Sequence, residues 1–150
     1  MDALNVLGRT RDVTVVGMGQ SNLDDLAERI VSSMGRTLRP DPEPEKGFYY
    51  RSDHFEFAKV GIPAFNPNGG VEFLDQEEDW GLDMRERYTD EDYHKVSDEV
   101  KGYWDLAGAA DDLKLFFEMG RDLANGKAWP EWSESSEFRA VRELSRAPVQ

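Results

Sequence analysis

Histidine is scarce in this chain: His54 and His94 are the only two in 150 residues. Imidazole is the side chain most often used to bind a transition metal or to move a proton near neutral pH, so each is a candidate for chemistry. His94 lies in YTDEDYHKVSDE (88–99), directly after Tyr93 and among carboxylates. One reading is a solvated acidic turn. The other is a metal ligand. Zinc takes three or four protein ligands, drawn from histidine and carboxylate where cysteine is absent. The two histidines are 40 residues apart, with no His-x-x-x-His pair, so spacing alone leaves both readings open.

His54 stands in FYYRSDHFEFAKVGIPAF (48–65). Phe48, Tyr49 and Tyr50 precede Arg51, Ser52, Asp53 and His54, ahead of a helix. Ser52 or Asp53 could cap that helix, with Glu56 completing something close to a capping box. Alternatively, the aromatics and polar residues form a pocket wall with apolar surface and polar handles.

Other stretches carry less. GMGQS (17–21) precedes a helix but lacks the Gly-x-Gly-x-x-Gly pattern and a P-loop lysine, so it reads as a tight turn rather than a phosphate cradle. There is no Gly-x-Ser-x-Gly nucleophile elbow. Glu77-Glu78 reads as a solvated acidic pair. The 18 basic and 31 acidic residues give a net charge of −13, which argues against unaided binding to nucleic acid or an anionic membrane. With no cysteine, disulfides and thiolate zinc sites are excluded. No apolar run approaches the ~20 residues that span a bilayer. Residues 1–12 contain charges and no apolar segment of the signal-peptide kind.

The elements that must position these residues are legible in outline. RDVTVVGMG (11–19) predicts a buried strand. SNLDDLAERIVSSMGR (21–36) predicts a helix capped by Ser21 or Asn22, with Leu23, Leu26, Ile30 and Met34 as its apolar stripe and Gly35 as its stop. SDHFEFAKVG (52–61) predicts a short helix closed by Gly61, and IPAFNP (62–67) a short strand. Residues 66–92 are acidic and poorly periodic, and predict a long loop, functional or mobile. YWDLAGAADDLKLFFEMGRDLANG (103–126) predicts the strongest helix, burying Leu106, Ala109, Ala110, Leu113, Phe116, Phe117, Met119 and Leu123. The remainder predicts a tryptophan-anchored turn and a short amphipathic helix. Strands alternating with helices point to a layered α/β architecture.

Taken in order, these segments resemble the zinc-dependent aminopeptidase family, metallopeptidase family twenty-eight. YYRSDHFEFAKVGIPAF is similar to its Ser-Asp-His segment, YTDEDYHKVSDE to its Tyr-His-x-x-x-Asp segment, and WDLAGAADDLKLFFEMGRDLAN to its terminal helix. MDALN (1–5) resembles its Asn-x-Asp segment. The resemblance covers residues 1–126, leaving 127–150 as a C-terminal extension with a short helix and frayed tail.

The resemblance implies a three-layer, mixed-sheet zinc exopeptidase fold, of which this chain would hold the C-terminal half. It implies a site of two zinc ions, with Asp2 a ligand of one and His94 a ligand of the other. Tyr93 would donate to the oxyanion that forms when a metal-activated water attacks the peptide carbonyl. Tyr49, Tyr50, Ser52, Asp53 and His54 would line the substrate site. The family's early histidine, bridging aspartate and Glu-Glu pair have no counterpart here, since Glu77-Glu78 falls between the two central segments. The expectation is therefore a fragment of a di-zinc aminopeptidase, inactive alone. Its partners would be the missing N-terminal half and, once complete, a peptide substrate. A non-catalytic binding protein on the same scaffold, or a carboxypeptidase or cyclase relative, are the alternatives. The resemblance also implies a secreted or periplasmic parent.

Overall fold

The computed structural model describes residues 4–146. Its framework is a three-stranded mixed sheet in the order β2-β1-β3. The central strand β1 (Asp12–Val16) is buried at every position, as its β-branched run requires. It pairs in parallel with β2 (Thr37–Pro40), Val13 opposite Leu38, and antiparallel with β3 (Asn66–Gly69), Thr14 opposite Asn68. Pro40 is tolerated because β2 lies at the sheet edge.

Helix α1 (Leu23–Ser33) connects β1 to β2 and buries Leu23, Leu26, Ala27, Ile30 and Val31. It ends where Gly35 takes φ +72°, which lets the Arg36 N–H turn back onto the Val31 carbonyl at 3.0 Å. The principal core joins Val13, Val15 and Leu38 of the sheet to Leu26, Ala27, Ile30 and Val31 of α1 and to Leu115 and Met119 of α4 (Ala107–Asn125). A buried ion pair ties the same layers. Arg36 Nη1 meets Asp112 Oδ1 at 2.7 Å, and its Nη2 donates to Thr10 Oγ1 and the Asp12 carbonyl.

A second cluster holds Ala58 of α2 (His54–Lys59) against Trp132 and Phe138, with Tyr49 and Phe55 packed beside it. Trp132 Nε1 donates to the Gly61 carbonyl at 3.0 Å. The Glu131 N–H donates to Asn22 Oδ1, and the Asn22 N–H returns to the Glu131 carbonyl. The predicted tryptophan anchor is thus present, and α5 (Arg139–Arg146) follows it.

Three expectations are corrected. Residues 66–92 are not one long loop: they contain β3 and α3 (Trp80–Glu91). Helix α3 buries only Gly81, so it has almost no apolar period to read. It is seated because Gly81 lies where any Cβ would strike the Val71 carbonyl at 2.1 Å. The third strand lies four residues later than IPAFNP starts, at Asn66–Gly69. Finally, α4 buries Gly108, Ala109, Asp112, Leu115 and Met119, while Leu106, Ala110, Leu113, Phe117 and Leu123 are exposed. Apolar residues occupy more than one face of that helix, and periodicity does not say which face meets the sheet.

Candidate functional site

The two motif regions sit on different supports. Tyr49 and Tyr50 belong to a 3-10 turn (Phe48–Arg51) that leads into α2. Tyr49 lies over Gly17, just past the end of β1, so close that a Cβ there would be 2.2 Å from the Tyr49 ring. Its ring also stacks on Phe138 (5.9 Å) and meets His54 edge-on (4.7 Å). The Tyr49 hydroxyl is buried without a hydrogen-bond partner, and burial pushes its pKa up to about 12. Both His54 ring nitrogens are likewise buried and unpartnered, and burial lowers the His54 pKa, favouring the neutral ring.

The other members of this group turn elsewhere. Tyr50 is exposed and donates to Glu137 Oε1 at 2.9 Å. Ser52 Oγ donates to the Phe48 carbonyl at 3.0 Å, and Asp53 is exposed. Neither caps α2, which has no side-chain cap. The expected Ser52/Asp53 cap and Glu56 capping box are therefore corrected: Ser52 bonds backward into the 3-10 turn instead.

Tyr93 and His94 follow the end of α3 and are both exposed. Their rings stack at 3.8 Å with 22° between planes. His94 is the one non-glycine residue with positive φ among those described, at +59°. A histidine backbone in that region is uncommon and needs its surroundings to hold it. Tyr88 is drawn in as well, with its hydroxyl on Asp98 Oδ2 at 2.9 Å. Burial, then Asp98, push its pKa up to about 12.

Among the described residues, no hydrogen bond or ring contact joins the Tyr49–His54 group to the Tyr93–His94 pair. Asp2 lies outside the described residues. Within them, no group of three histidine, aspartate or glutamate side chains is placed to hold a metal ion. Clefts of about 380 and 310 Å3 lie beside α1 and α4; neither is lined by a residue of the two motif regions. No described helix is long and apolar enough to cross a membrane.

Sequence reasoning missed Lys101 and Asp92, which brace the Tyr93–His94 turn with an ammonium-to-carboxylate distance of 3.3 Å. Charged residues in an acidic run give no signal of such a bond until the turn's path is known.

Comparison with known proteins identifies a family and no individual relative. No curated protein and no solved structure gives a match. The sequence profile of Peptidase family M28 matches residues 1–117, a span that contains both motif regions and most of α4. On that match over 117 of its 150 residues, the chain belongs to peptidase family M28, a family of generally zinc-dependent metallopeptidases.

Proposed function

We propose that this chain supplies part of the site of a di-zinc aminopeptidase and does not hydrolyse peptides alone. Family membership supports the hydrolase class. The observation that carries the finer reading is the Tyr93–His94 pair, presented to solvent side by side on a strained, braced turn. In this reading His94 is a ligand of one zinc and Asp2 of the other, while the remaining ligands and the general base come from outside the described residues. Tyr93 carries a phenol donor, the kind of group that stabilises negative charge developing on a peptide carbonyl. Tyr49 and His54 shape the wall nearest the end of β1. Tyr50, Ser52 and Asp53 border it, and the occupant is the N-terminal part of a peptide.

The test is zinc content after dialysis, together with release of an N-terminal residue from a chromogenic aminoacyl substrate. The chain alone should retain almost no zinc and release nothing. Co-expression with an N-terminal half from a family member should raise zinc towards two per complex. Robust zinc-dependent turnover by the 150-residue chain alone would sink the proposal.

A second reading, a non-catalytic binding protein on the same scaffold, is favoured by the exposed Leu106 at the start of α4 and Leu113 and Phe117 within it. A stable monomer whose zinc content stays near zero even with an N-terminal half present would select it.

A further inference from the structure

We infer that Lys101 and Tyr88 are positioning residues for His94, clasping the turn that presents it. This rests on the reading of His94 as a metal ligand, but its geometry stands apart from any metal. Beyond the Tyr88–Tyr93 ring contact (6.0 Å), little packing holds the turn. Val96 at its tip is fully exposed (103%), and Val100 nearly so (80%). Polar bonds must therefore fix it. The Tyr88 carbonyl accepts both the Asp92 and the Tyr93 N–H, each at 2.9 Å, which closes the end of α3. Lys101 then bridges the two sides of the turn. Its Nζ donates to Asp92 Oδ1 at 3.3 Å, before His94, and to the Ser97 carbonyl at 2.5 Å, after it. Ser97 Oγ donates back to the Glu91 carbonyl at 3.0 Å. The Tyr88 hydroxyl spans the same gap to Asp98 Oδ2 at 2.9 Å.

The clasp thus joins residues 88–92 to residues 97–101 on both sides of His94. Lys101 and Asp92 are three-quarters or more covered, so salt screens this pair less than an open surface pair. Closure of the turn holds the His94 backbone at φ +59°, and the stacked Tyr93 ring then sets the direction of the imidazole. A metal ligand gains from such preorganisation, because its ring orientation need not be fixed at the moment of binding.

The presence of only two histidines makes the test direct. The ring proton and carbon signals of His94 and His54 are assigned in the metal-free chain with a His94→Gln variant. The stacked Tyr93 ring should displace the His94 signals upfield. Lys101→Met should return them to free-histidine positions, and Lys101→Arg should restore the displacement. The His54 signals, set by the separate aromatic cluster, should stay in place throughout. His94 signals unmoved by Lys101→Met would overturn the clasp. Should Lys101→Met disturb His54 too, Tyr88→Phe deletes a single hydroxyl and carries the same expectation and the same refutation. Zinc titration of the chain co-expressed with an N-terminal half from a family member reads the other claim. A working clasp with no zinc response at His94 would refute the ligand reading, whereas a zinc response without the displacement would refute the clasp alone.

Discussion

At the scale of the residue, His54 and His94 share a side chain and differ in every surrounding. His54 is half-buried edge-on against the Tyr49 ring with both nitrogens buried and unpartnered; His94 is exposed on a turn. The burial has a pH consequence. The His54 pKa in the folded chain lies below its ordinary 6.5, so the unfolded chain binds the proton first as pH falls. Stability is therefore intact above about pH 6.5 and declines below it, until the folded-state pKa is reached. Urea denaturation between pH 7.5 and about 5 should show this decline. His54→Phe should flatten it, with the rest of the acid response unchanged. The sequence offered His54 as a helix-entry residue or a pocket residue, and only contacts distinguish them. The Tyr49 ring beside it also stacks on Phe138, 84 positions from His54. No local pattern encodes such a meeting. That Tyr93 and His94 are neighbours is plain in the sequence, but the positive φ of His94 is not, since the bonds that close its turn run through side chains as far off as Lys101.

At the scale of the element, strong local signals were enough for β1, α1 and α4. The β-branched run, the four-residue stripe and the glycine stop each act within a few residues. Helix α3 escaped notice because its one fully buried position is Gly81, seated beside the Trp80–Phe73 ring contact, rather than a periodic apolar stripe. Gly61 has a similar part in the second cluster. It adopts φ +79°, and a Cβ there would be 2.6 Å from the Arg142 backbone nitrogen. Gly61→Ala should combine an unfavourable backbone with a clash and cost about 1–3 kcal/mol in chemical denaturation. The effect should concentrate where α5 docks. Hydrogen exchange should show faster exchange at residues 138–146 and little change in α1. Uniform acceleration throughout would contradict the assignment.

At the scale of the whole molecule, two features set behaviour. The first is the Arg36–Asp112 pair, which fastens the loop after α1 to α4 beneath the sheet. Burial raises the Asp112 pKa and Arg36 opposes that rise, so each partner relies on the other. Arg36→Met alone should destabilise by about 3–5 kcal/mol, because it strands a buried carboxylate, and the Arg36→Met/Asp112→Leu pair should lose much less. Thermal denaturation of the three proteins checks this. An additive double variant would mean that Arg36 acts through its bonds to Thr10 and Asp12 instead. The second feature is the exposed row of Leu106, Leu113 and Phe117. Leu113→Lys/Phe117→Lys should raise solubility with little change in melting temperature, since neither side chain sits in the core. A large drop in melting temperature would show that the row packs within the chain.

The register of the sheet also has a kinetic meaning. Val16 of the central strand pairs with Asn66, fifty positions further along, and Asn22 waits for Glu131. During synthesis at about 5–20 residues per second, β1, α1 and β2 leave the ribosome seconds before β3 exists. For that interval one side of β1 carries unpaired backbone amides beside a nascent apolar core. The chain is then most open to mispairing with a neighbour, so its yield in a cell should depend more on translation rate and chaperone supply than on the stability of the finished fold.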